Sequence, residues 1–424
     1  MEKYLKNLPR EILDLIYLAR DISVREGVPA YLVGGCVRDL LLGEKNFDLD
    51  IVVEGDAMKF ADNFSKATGA KIIRHNMFGT ATVFISHKLK VDFATSRKEY
   101  YPHPAALPVV SPSVLKDDLL RRDFTVNAMA VDITTGHFGA LIDYFHGQDD
   151  LAKKKIRVLH ALSFIDDPTR ILRAIRFEQR FMFRIEPGTL KILKEALKRD
   201  MLNKVKPQRI RQELVLLLKE ADPVKQLKRM QQLCGLRFLS PKLLVSKEVF
   251  FLMRKLQLQL QWYARIQPPR RQLDIWLIYF MALVDGLGKS EINSICRRLM
   301  LRAGEAKRAL EIKSITPLFI SKLRRKDILP SQVNAFLEPL SFETLILLRA
   351  RYNNVFFRRH IADFLTDYSH VRIHITGKDL LGLGIIPGPA YQRILAGVKD
   401  ARLDDRVTTK EDEMFLAQRL ARKR

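Results

Sequence analysis

The stretch of sequence that decides the fold is AYLVGGCVRDLLLGEKNFDLDIVV, residues 30–53. Residues 30–33 form a short apolar run that leads into Gly34-Gly35, and the residues that follow have the spacing of a helix that stops at Gly43. Residues 47–53 then alternate between apolar and acidic side chains, which is typical of a strand. A strand, a glycine turn, a helix and a second strand predict an α/β arrangement in this part of the chain.

Two aspartates share one face of this second strand. Because side chains alternate between the faces of a strand, Asp48 and Asp50 point away from the apolar residues. A later predicted strand, residues 89–95, carries Asp92 on its polar face. Close carboxylates repel each other unless a cation lies between them, and hard oxygen ligands suit Mg²⁺. If the two strands are neighbours, the three aspartates predict a two-metal Mg²⁺ site that holds the attacking and leaving oxygens of an in-line displacement.

The glycine turn strengthens the metal hypothesis, since an Asp-x-Asp pair alone is more often a solvated strand face. Gly34 and Gly35 let backbone N–H groups approach a phosphate closely, and the following helix points its positive N-terminus at the same place. Arg38 lies in the first turn of that helix, where a guanidinium could clamp phosphate oxygens. Glycine turn, arginine and aspartates together predict a site for a nucleoside triphosphate.

A basic helix is predicted at residues 168–180. Its arginines recur at three- and four-residue spacing and share one face: Arg170, Arg173, Arg176 and Arg180. Asp167 is expected to cap this helix, with Pro168 at the first helical position. By pattern alone, a solvated basic face is the more common explanation of such spacing.

Several motifs, read together, resemble one known family. They are LVGGCVRD (32–39), FDLD (47–50), RRDFTVNA (121–128), GQDDL (147–151), DDPTR (166–170), RIRQEL (209–214), GKDL (377–380) and GIIPGP (384–389). The chain resembles the class II tRNA nucleotidyltransferases and the bacterial poly(A) polymerases, densely over about residues 25–220. The resemblance implies that protein side chains replace a nucleic-acid template.

The resemblance also implies roles for particular residues. Three residues of the RRDFTVNA motif are expected to orient the sugar of the nucleotide: Arg122, Asp123 and Asn127. Asp167 and Arg170 are expected to present hydrogen-bond groups to the edge of the incoming base, because a carboxylate accepts from an exocyclic amine and a guanidinium donates to a ring nitrogen or carbonyl. Arg173 and Arg176 continue the nucleotide-binding face of the same helix.

The net charge of +25 arises from 73 Lys and Arg against 48 Asp and Glu, and it indicates a polyanionic partner. The alternative is a generally basic protein without such a partner.

The longest apolar run, residues 275–284, is too short for a membrane span of about 20 residues and predicts a buried helix. We expect no membrane association and a cytoplasmic location, because the start lacks a signal-peptide pattern and the three cysteines (Cys36, Cys234, Cys296) have neither disulfide nor metal spacing.

The chain changes character near residue 160, from alternating strands and helices to helices almost alone. The predicted fold class is α+β, with an N-terminal nucleotidyltransferase head that holds a small mixed β-sheet and helices, followed by an all-α neck, body and tail. The predicted domains are a catalytic head (1–146), a neck with the base-recognition helix (147–220), a body (221–370) and an RNA-binding tail (371–424).

The predicted function is template-independent addition of C and/or A from CTP or ATP to the 3′ end of tRNA, with release of pyrophosphate. The expected partners are the tRNA acceptor end and ATP and/or CTP, and the oligomeric state stays open. The alternatives are a partial enzyme that adds only A or only CC, and a bacterial poly(A) polymerase. Segment 99–116 carries Tyr100, Tyr101 and four prolines, and this stiffness favours A-only addition among the partial enzymes.

Two further classes are open on the chemistry of the head alone. A nucleotidyltransferase that acts on a small molecule would share the head motifs, although it would have little use for the charge of +25 or the long helical body. A catalytically inactive RNA-binding relative would not need the three aspartates, and all three are present.

Overall fold

The computed structural model describes residues 5, 8–44, 48–75, 79–87, 89–266 and 272–422. The chain divides into two compact units. The first runs to Leu217 and also includes residues 228–234, and the second consists of residues 218–227 together with the chain from Gly235 onward. Phe47, with which the second predicted strand begins, lies outside the described residues.

A seven-stranded mixed sheet forms the centre of the first unit. Its strand order is β3-β4-β5-β2-β1-β8-β9, in which β2 and β5 are parallel and the other neighbouring pairs are antiparallel. The strands are β1 (Ala30–Val33), β2 (Leu49–Val53), β3 (Lys71–His75), β4 (Thr80–Phe84), β5 (Lys90–Thr95), β6 (Arg97–Tyr100), β7 (Val109–Pro112), β8 (Ala130–Asp132), β9 (Leu141–Ile142), β10 (Lys155–Ile156) and β11 (Arg184–Ile185). Strands β6 and β7 form a separate antiparallel hairpin, and β10 pairs with β11 in parallel.

Helices pack around this sheet and continue beyond it. Those of the first unit, together with the two that cross its boundary, are α1 (Arg10–Glu26), α2 (Gly35–Leu42), α3 (Ala57–Thr68), α4 (Leu115–Leu120), α5 (Gly147–Ala152), α6 (Ser163–Asp166), α7 (Thr169–Arg180), α8 (Pro187–Lys198), α9 (Pro207–Lys219) and α10 (Pro223–Leu233). Single 3-10 turns lie at Thr125–Asn127 and Met201–Lys204.

Helix α3 covers one face of the sheet and thereby fixes the direction of the aspartates. Its start is capped by Asp56, whose carboxylate accepts from the backbone N–H groups of residues 58 and 59. Phe60 and Phe64 pack on Phe93 of β5 with ring centroids 5.6 and 5.0 Å apart. Since Phe93 faces this helix, its neighbour Asp92 faces the opposite side of the sheet.

The second unit is helical in the part of the chain that the structure describes. Its helices are α11 (Lys247–Arg265), α12 (Ile275–Leu283), α13 (Lys289–Arg298), α14 (Ala303–Glu311), α15 (Pro317–Leu323), α16 (Pro330–Leu337), α17 (Phe342–Arg351), α18 (Val355–Thr366), α19 (Gly377–Gly382), α20 (Pro389–Leu403) and α21 (Lys410–Arg422). Residues 276–284 are all buried, as the apolar run predicts. Among the described helices, none is both long enough and apolar enough to cross a membrane.

The predicted α+β class is confirmed, with the mixed sheet in the N-terminal part and helices after it. The division of the chain into head, neck, body and tail stays a prediction. Segment 99–116, which we predicted as a stiff loop, contains the end of β6, the whole of β7 and the start of α4, and its residues 101–108 connect the two strands.

Candidate active site

The aspartates of β2 and β5 lie side by side. In the parallel pairing of these strands, Asp50 is the register partner of Asp92. Burial raises the pKa of Asp50 to about 6, and the charges of Asp92 and Asp48 add to this rise while Arg122 opposes it. Asp48 comes immediately before β2 and is exposed. Three carboxylates, one of them desolvated, therefore share a small region of negative potential.

Both carboxylate oxygens of Asp92 contact neighbouring side chains. One carboxylate oxygen accepts from the hydroxyl of Thr82, its cross-strand partner, and the other contacts the ammonium of Lys90. Within the described ranges, no three His, Cys, Asp or Glu side chains are arranged as they stand to hold a metal ion. The donor set nevertheless suits Mg²⁺, because it consists of carboxylate oxygens whose mutual repulsion a divalent cation would relieve.

The glycine turn makes room for an arginine. Gly34 has φ 75° and ψ −130°, a backbone conformation that residues other than glycine rarely adopt. A Cβ at this position would lie 2.5 Å from Nη1 of Arg122. Arg122 is itself held by Asp118, with 2.9 Å between Nη2 and Oδ2. The N–H of Gly34 donates to the carbonyl of Met129 at 3.2 Å. A guanidinium therefore lies against the turn at which the sequence predicts a phosphate, and the phosphate contact stays a prediction.

A buried network connects the glycine-turn helix to the basic helix. Arg38 donates to Asp39 at 2.8 Å and to the side-chain oxygen of Asn127 at 2.6 Å. Asn127 donates to Asp123 at 2.9 Å, and Arg173 of α7 donates to the other oxygen of Asp123 at 2.8 Å. Burial alone would raise the pKa of Asp123, but Arg173 and Asn127 lower it to about 2. The RRDFTVNA motif is thus tied to α7 by a charged hydrogen bond.

The two residues expected to read the base are fixed by other side chains. Asp167 accepts from the N–H and hydroxyl of Thr169 through one oxygen and from Arg209 at 2.6 Å through the other. Arg170 donates to Ser163 Oγ at 2.7 Å and to the carbonyl of Arg121 at 2.6 Å. Both side chains are therefore held in one orientation before any ligand arrives.

The start of α7 differs slightly from our prediction. The helix begins at Thr169, with Pro168 in the capping position, one residue later than predicted. Asp167 still acts as the side-chain cap, because it accepts from the N–H of Thr169 at 3.0 Å. Part of the arginine face is buried, since Arg170 and Arg176 are 4% and 7% exposed, whereas Arg173 is half-buried and Arg180 is exposed. The explanation by a solvated basic face is therefore wrong for Arg170 and Arg176.

Sequence reasoning missed a group of residues on the hairpin β6–β7. Glu99 accepts from Arg97 and from Arg121, each at 3.1 Å, through one oxygen, and from the Tyr101 hydroxyl at 2.9 Å through the other. The backbone carbonyl of Arg121 accepts the hydrogen bond from Arg170 described above. The available signal was the alternation of Arg97, Glu99 and Tyr101, which places a charged face on one side of a strand.

One cavity of about 570 Å³ in the first unit collects most of the predicted residues. Its lining includes Gly34, Gly35, Arg38, Asp50, Arg122, Asp123, Asn127, Asp167, Arg170, Arg173 and Arg176, with Glu99, Tyr101, Arg121, Arg180 and Arg209 that were not singled out as site residues. A smaller cavity of about 310 Å³ is lined by Asp92 together with Asp50, Thr80 and Thr82. Asp50 is therefore shared between the two cavities, while Asp48 lies at the exposed start of β2.

Known proteins share both the sequence and the architecture. Residues 30–157 match the poly A polymerase head domain, and residues 182–245 match the probable RNA and SrmB-binding site of polymerase A. The chain is similar to the A-adding tRNA nucleotidyltransferase of Halalkalibacterium halodurans, 32% identical over 97% of this chain and 93% of that protein. The chain belongs to the tRNA nucleotidyltransferase family.

Other members of the tRNA nucleotidyltransferase family are similar along the chain. The A-adding enzyme of Geobacter sulfurreducens is 39% identical over 98% of this chain, which spans 48% of that longer relative. The solved structure of a CCA-adding enzyme in an apo form superimposes with a TM-score of 0.77 at 34% identity, covering 98% of this chain and 97% of its own. The Thermotoga maritima CCA-adding enzyme complexed with tRNA has a TM-score of 0.71 at 32% identity, covering 98% and 97%.

Proposed function

We propose that this chain transfers a nucleotide from a nucleoside triphosphate to the 3′ end of tRNA and releases pyrophosphate. One observation carries the proposal. A single cavity brings the carboxylate of Asp50, the arginine at the glycine turn and the fixed pair Asp167 and Arg170 to one place. Triphosphate binding, sugar orientation and base selection therefore have residues of suitable chemistry within the reach of one nucleotide.

The cationic side chains of the cavity would bind and orient the triphosphate. Arg38 and Arg122 carry positive charge at the glycine turn, and each is fixed by a carboxylate, Asp39 and Asp118 respectively. A charged donor that is already oriented loses little freedom when a phosphate arrives. Asn127 and Asp123 lie behind Arg38, where they would define the position of the ribose.

Asp48, Asp50 and Asp92 are the residues that would hold Mg²⁺. A bound metal would supply a lower pKa of the attacking hydroxyl and would neutralise charge on the leaving pyrophosphate. Nucleotidyltransferases of this kind generally depend on a divalent metal. The contribution of the protein is to hold three carboxylates on one side of the sheet, with Phe93 and α3 packed behind them.

Among the versions of this activity, we favour addition of the terminal A. The Halalkalibacterium and Geobacter relatives, similar along nearly the whole of this chain, are both named A-adding. Docking of the segment that follows β6 supports the same version, because the N–H of Ala105 donates to the carbonyl of Ile165 at 3.1 Å, two residues before Asp167. When the backbone next to Asp167 is held in this way, the residues expected to contact the base are fixed in one arrangement, which suits recognition of a single base. Complete CCA addition is the second candidate, favoured by the likeness to solved CCA-adding enzymes.

A primer and triphosphate matrix tests the proposal. The protein is incubated with tRNA that ends before the CCA tail, with tRNA that ends after CC, and with an unrelated RNA, each with one of the four triphosphates. We expect a single A on the tRNA that ends in CC. Addition of C to the shorter tRNA together with A on the tRNA that ends in CC would instead establish CCA addition, and addition of C alone would establish a CC-adding enzyme. Long A tails on the unrelated RNA would establish a poly(A) polymerase. No transfer to any RNA would contradict the proposal.

A substitution separates base reading from catalysis. Asp167→Asn keeps the size of the side chain but exchanges an acceptor for a donor, so we expect weaker discrimination among the triphosphates while transfer continues. The measured quantity is the ratio of kcat/KM for ATP to that for each other triphosphate. Asp166→Asn is the matched control, because it changes the adjacent carboxylate and leaves the contact between Asp167 and Arg209 in place. An unchanged ratio in Asp167→Asn would remove Asp167 from base selection.

A further inference from the structure

Lys90 places a positive charge among the three aspartates. It lies on β5 two residues before Asp92, so both side chains emerge on the same face of the sheet. Its ammonium contacts one carboxylate oxygen of Asp92, and the charges of Asp48 and Asp50 attract it as well. The lysine therefore neutralises part of the negative charge that would otherwise be concentrated at this point.

The contact between Lys90 and Asp92 is partly open to solvent. The side chain of Lys90 is 44% exposed and that of Asp92 is 33% exposed, so the ammonium has a path to solvent. A second cation near the aspartates among the described residues, Arg122, is bound to the buried carboxylate of Asp118 at 2.9 Å. Of these two cations, the lysine is the one that is free to leave and the arginine is the one that is fixed.

We propose that Lys90 is the internal counter-ion of the aspartate site and that a divalent cation binds there by displacing its ammonium from Asp92. The inference rests on the proposed metal site and adds a residue to it. A carboxylate oxygen that contacts an ammonium cannot at the same time give that position to a metal ion. Metal binding is therefore an exchange of cations, in which the lysine lowers the net affinity for the metal and keeps the carboxylates in place without it.

The exchange predicts opposite effects of Lys90 on affinity and on metal-free stability. Lys90→Met retains most of the apolar stem and removes the charge, so the metal no longer competes with an ammonium. We expect the variant to bind Mg²⁺ or Mn²⁺ about two- to fivefold more tightly, the range that a partly exposed ion pair supports. Without metal, the same variant should melt at a lower temperature than the wild type, because the carboxylates then repel each other unopposed.

Calorimetric titration of the full chain with MnCl₂ alone, in the absence of nucleotide and RNA, measures the affinity directly. Lys90→Arg keeps the charge and should bind like the wild type. Lys98→Met is the matched control, since Lys98 is exposed on hairpin strand β6, and it should also bind like the wild type. Asp50→Asn is titrated in the same way, and the melting temperatures of the five proteins with and without Mn²⁺ give a second readout that is independent of activity.

The outcomes distinguish this inference from the metal site itself. Tighter binding by Lys90→Met alone supports the exchange. Equal or weaker binding by Lys90→Met, with binding abolished in Asp50→Asn, overturns the role of Lys90 and leaves the metal site intact. Absence of binding by the wild type and every lysine variant overturns the metal site and the inference with it.

Discussion

Arg122 is the residue at which the glycine turn meets the aspartates. Its Nη1 lies 2.5 Å from where a Cβ at Gly34 would be, and its Nη2 donates to Asp118. Its charge lowers the pKa of Asp50, which burial raises. A substitution at the turn should therefore move the charge of Arg122 relative to the carboxylates. Since the guanidinium is fixed at one end only by Asp118, its position depends on the space that Gly34 leaves.

Gly34→Ala tests this dependence. The new methyl group would meet Nη1 of Arg122 at 2.5 Å and would force alanine into a conformation that costs about 1–3 kcal/mol. We expect the free energy of unfolding to fall by that amount and kcat/KM for ATP to fall at least about a hundredfold, as for loss of one preorganised donor. Gly27→Ala is the control, because Gly27 also has a positive φ of 65° but nothing lies within 4 Å of its Cβ position. Equal activity losses in both variants would contradict the role of Arg122.

Asp123 makes the stability of the first unit depend on pH. Its folded pKa of about 2 lies below its ordinary value of 3.8, so the ionised form stabilises the fold at neutral pH, and this contribution is lost as the pH falls from about 4 to 2. We expect the difference in free energy of unfolding between the wild type and Asp123→Asn to stay constant between about pH 8 and 5 and to shrink below pH 4. Urea unfolding at a series of pH values measures it. A difference that grows as the pH falls would contradict the assignment.

At the scale of elements, the hairpin β6–β7 supports the residues that we expect to read the base. Glu99 accepts hydrogen bonds from Arg97, Arg121 and Tyr101. The backbone carbonyl of Arg121 in turn accepts a hydrogen bond from Arg170. The carboxylate is thus two contacts away from the residue that we expect to read the base. A substitution there changes no group that we expect to touch the nucleotide.

Glu99→Gln should therefore act on nucleotide binding through position alone. Loss of the charge weakens hydrogen bonds to two arginines, and we expect the free energy of unfolding to fall by about 2 kcal/mol. The KM for ATP should rise while the KM for tRNA stays unchanged, which steady-state kinetics with each substrate varied in turn would measure. Lys98→Ala on the same strand should leave both constants at the wild-type values. A rise in the KM for tRNA alone would contradict the link to Arg170.

The sequence predicts those elements whose pattern is local. Strand β1 covers the predicted residues 30–33 and helix α2 ends just before Gly43 as predicted, because apolar periodicity and a flanking glycine mark their ends. Strand β3 was missed, since four of its five residues are exposed and no buried face marks it. The hairpin was missed because its prolines are typical of loops, although Pro112 lies at the end of an edge strand, where no N–H is required.

The candidate site shows the same limit. The aspartates and arginines were predicted from their chemistry and from the family resemblance, and they stay predictions in their roles. Their partners could not be predicted, because contacts such as Arg173 with Asp123 and Arg209 with Asp167 join residues 50 and 42 positions apart. Such pairs depend on how α7 and α9 pack, which no local pattern contains.

At the scale of the whole molecule, the first unit is completed by a segment that follows part of the second. Residues 228–234 belong to the first unit, and Arg229 donates to the buried carboxylate of Glu178 at 3.0 Å. Glu178 also accepts from the N–H of Ile185. The ion pair therefore connects α10 to helix α7, which carries a residue that we expect to contact the base.

Arg229→Ala should weaken the first unit selectively. It leaves the carboxylate of Glu178 without its charged donor, and we expect a loss of about 2–3 kcal/mol in the free energy of unfolding. Hydrogen exchange should show faster opening in α7 and no change in helices α17 and α18 of the second unit. Lys228→Ala, one residue earlier, is the control. Equal acceleration in both units would show that they unfold together and would contradict the prediction.

The return of the chain to the first unit also affects how the protein is made. A ribosome releases the N-terminal residues first, so the sheet strands, which end at Ile142 apart from the short pair β10–β11, emerge long before Cys234. Until then Glu178 lacks its partner Arg229, and Met230, which is fully buried in the finished protein, has not yet been synthesised. Synthesis therefore supplies residues 218–227 of the second unit before the first can close. A nascent chain stalled within that stretch would carry every residue of the candidate site and still lack the segment that completes its fold.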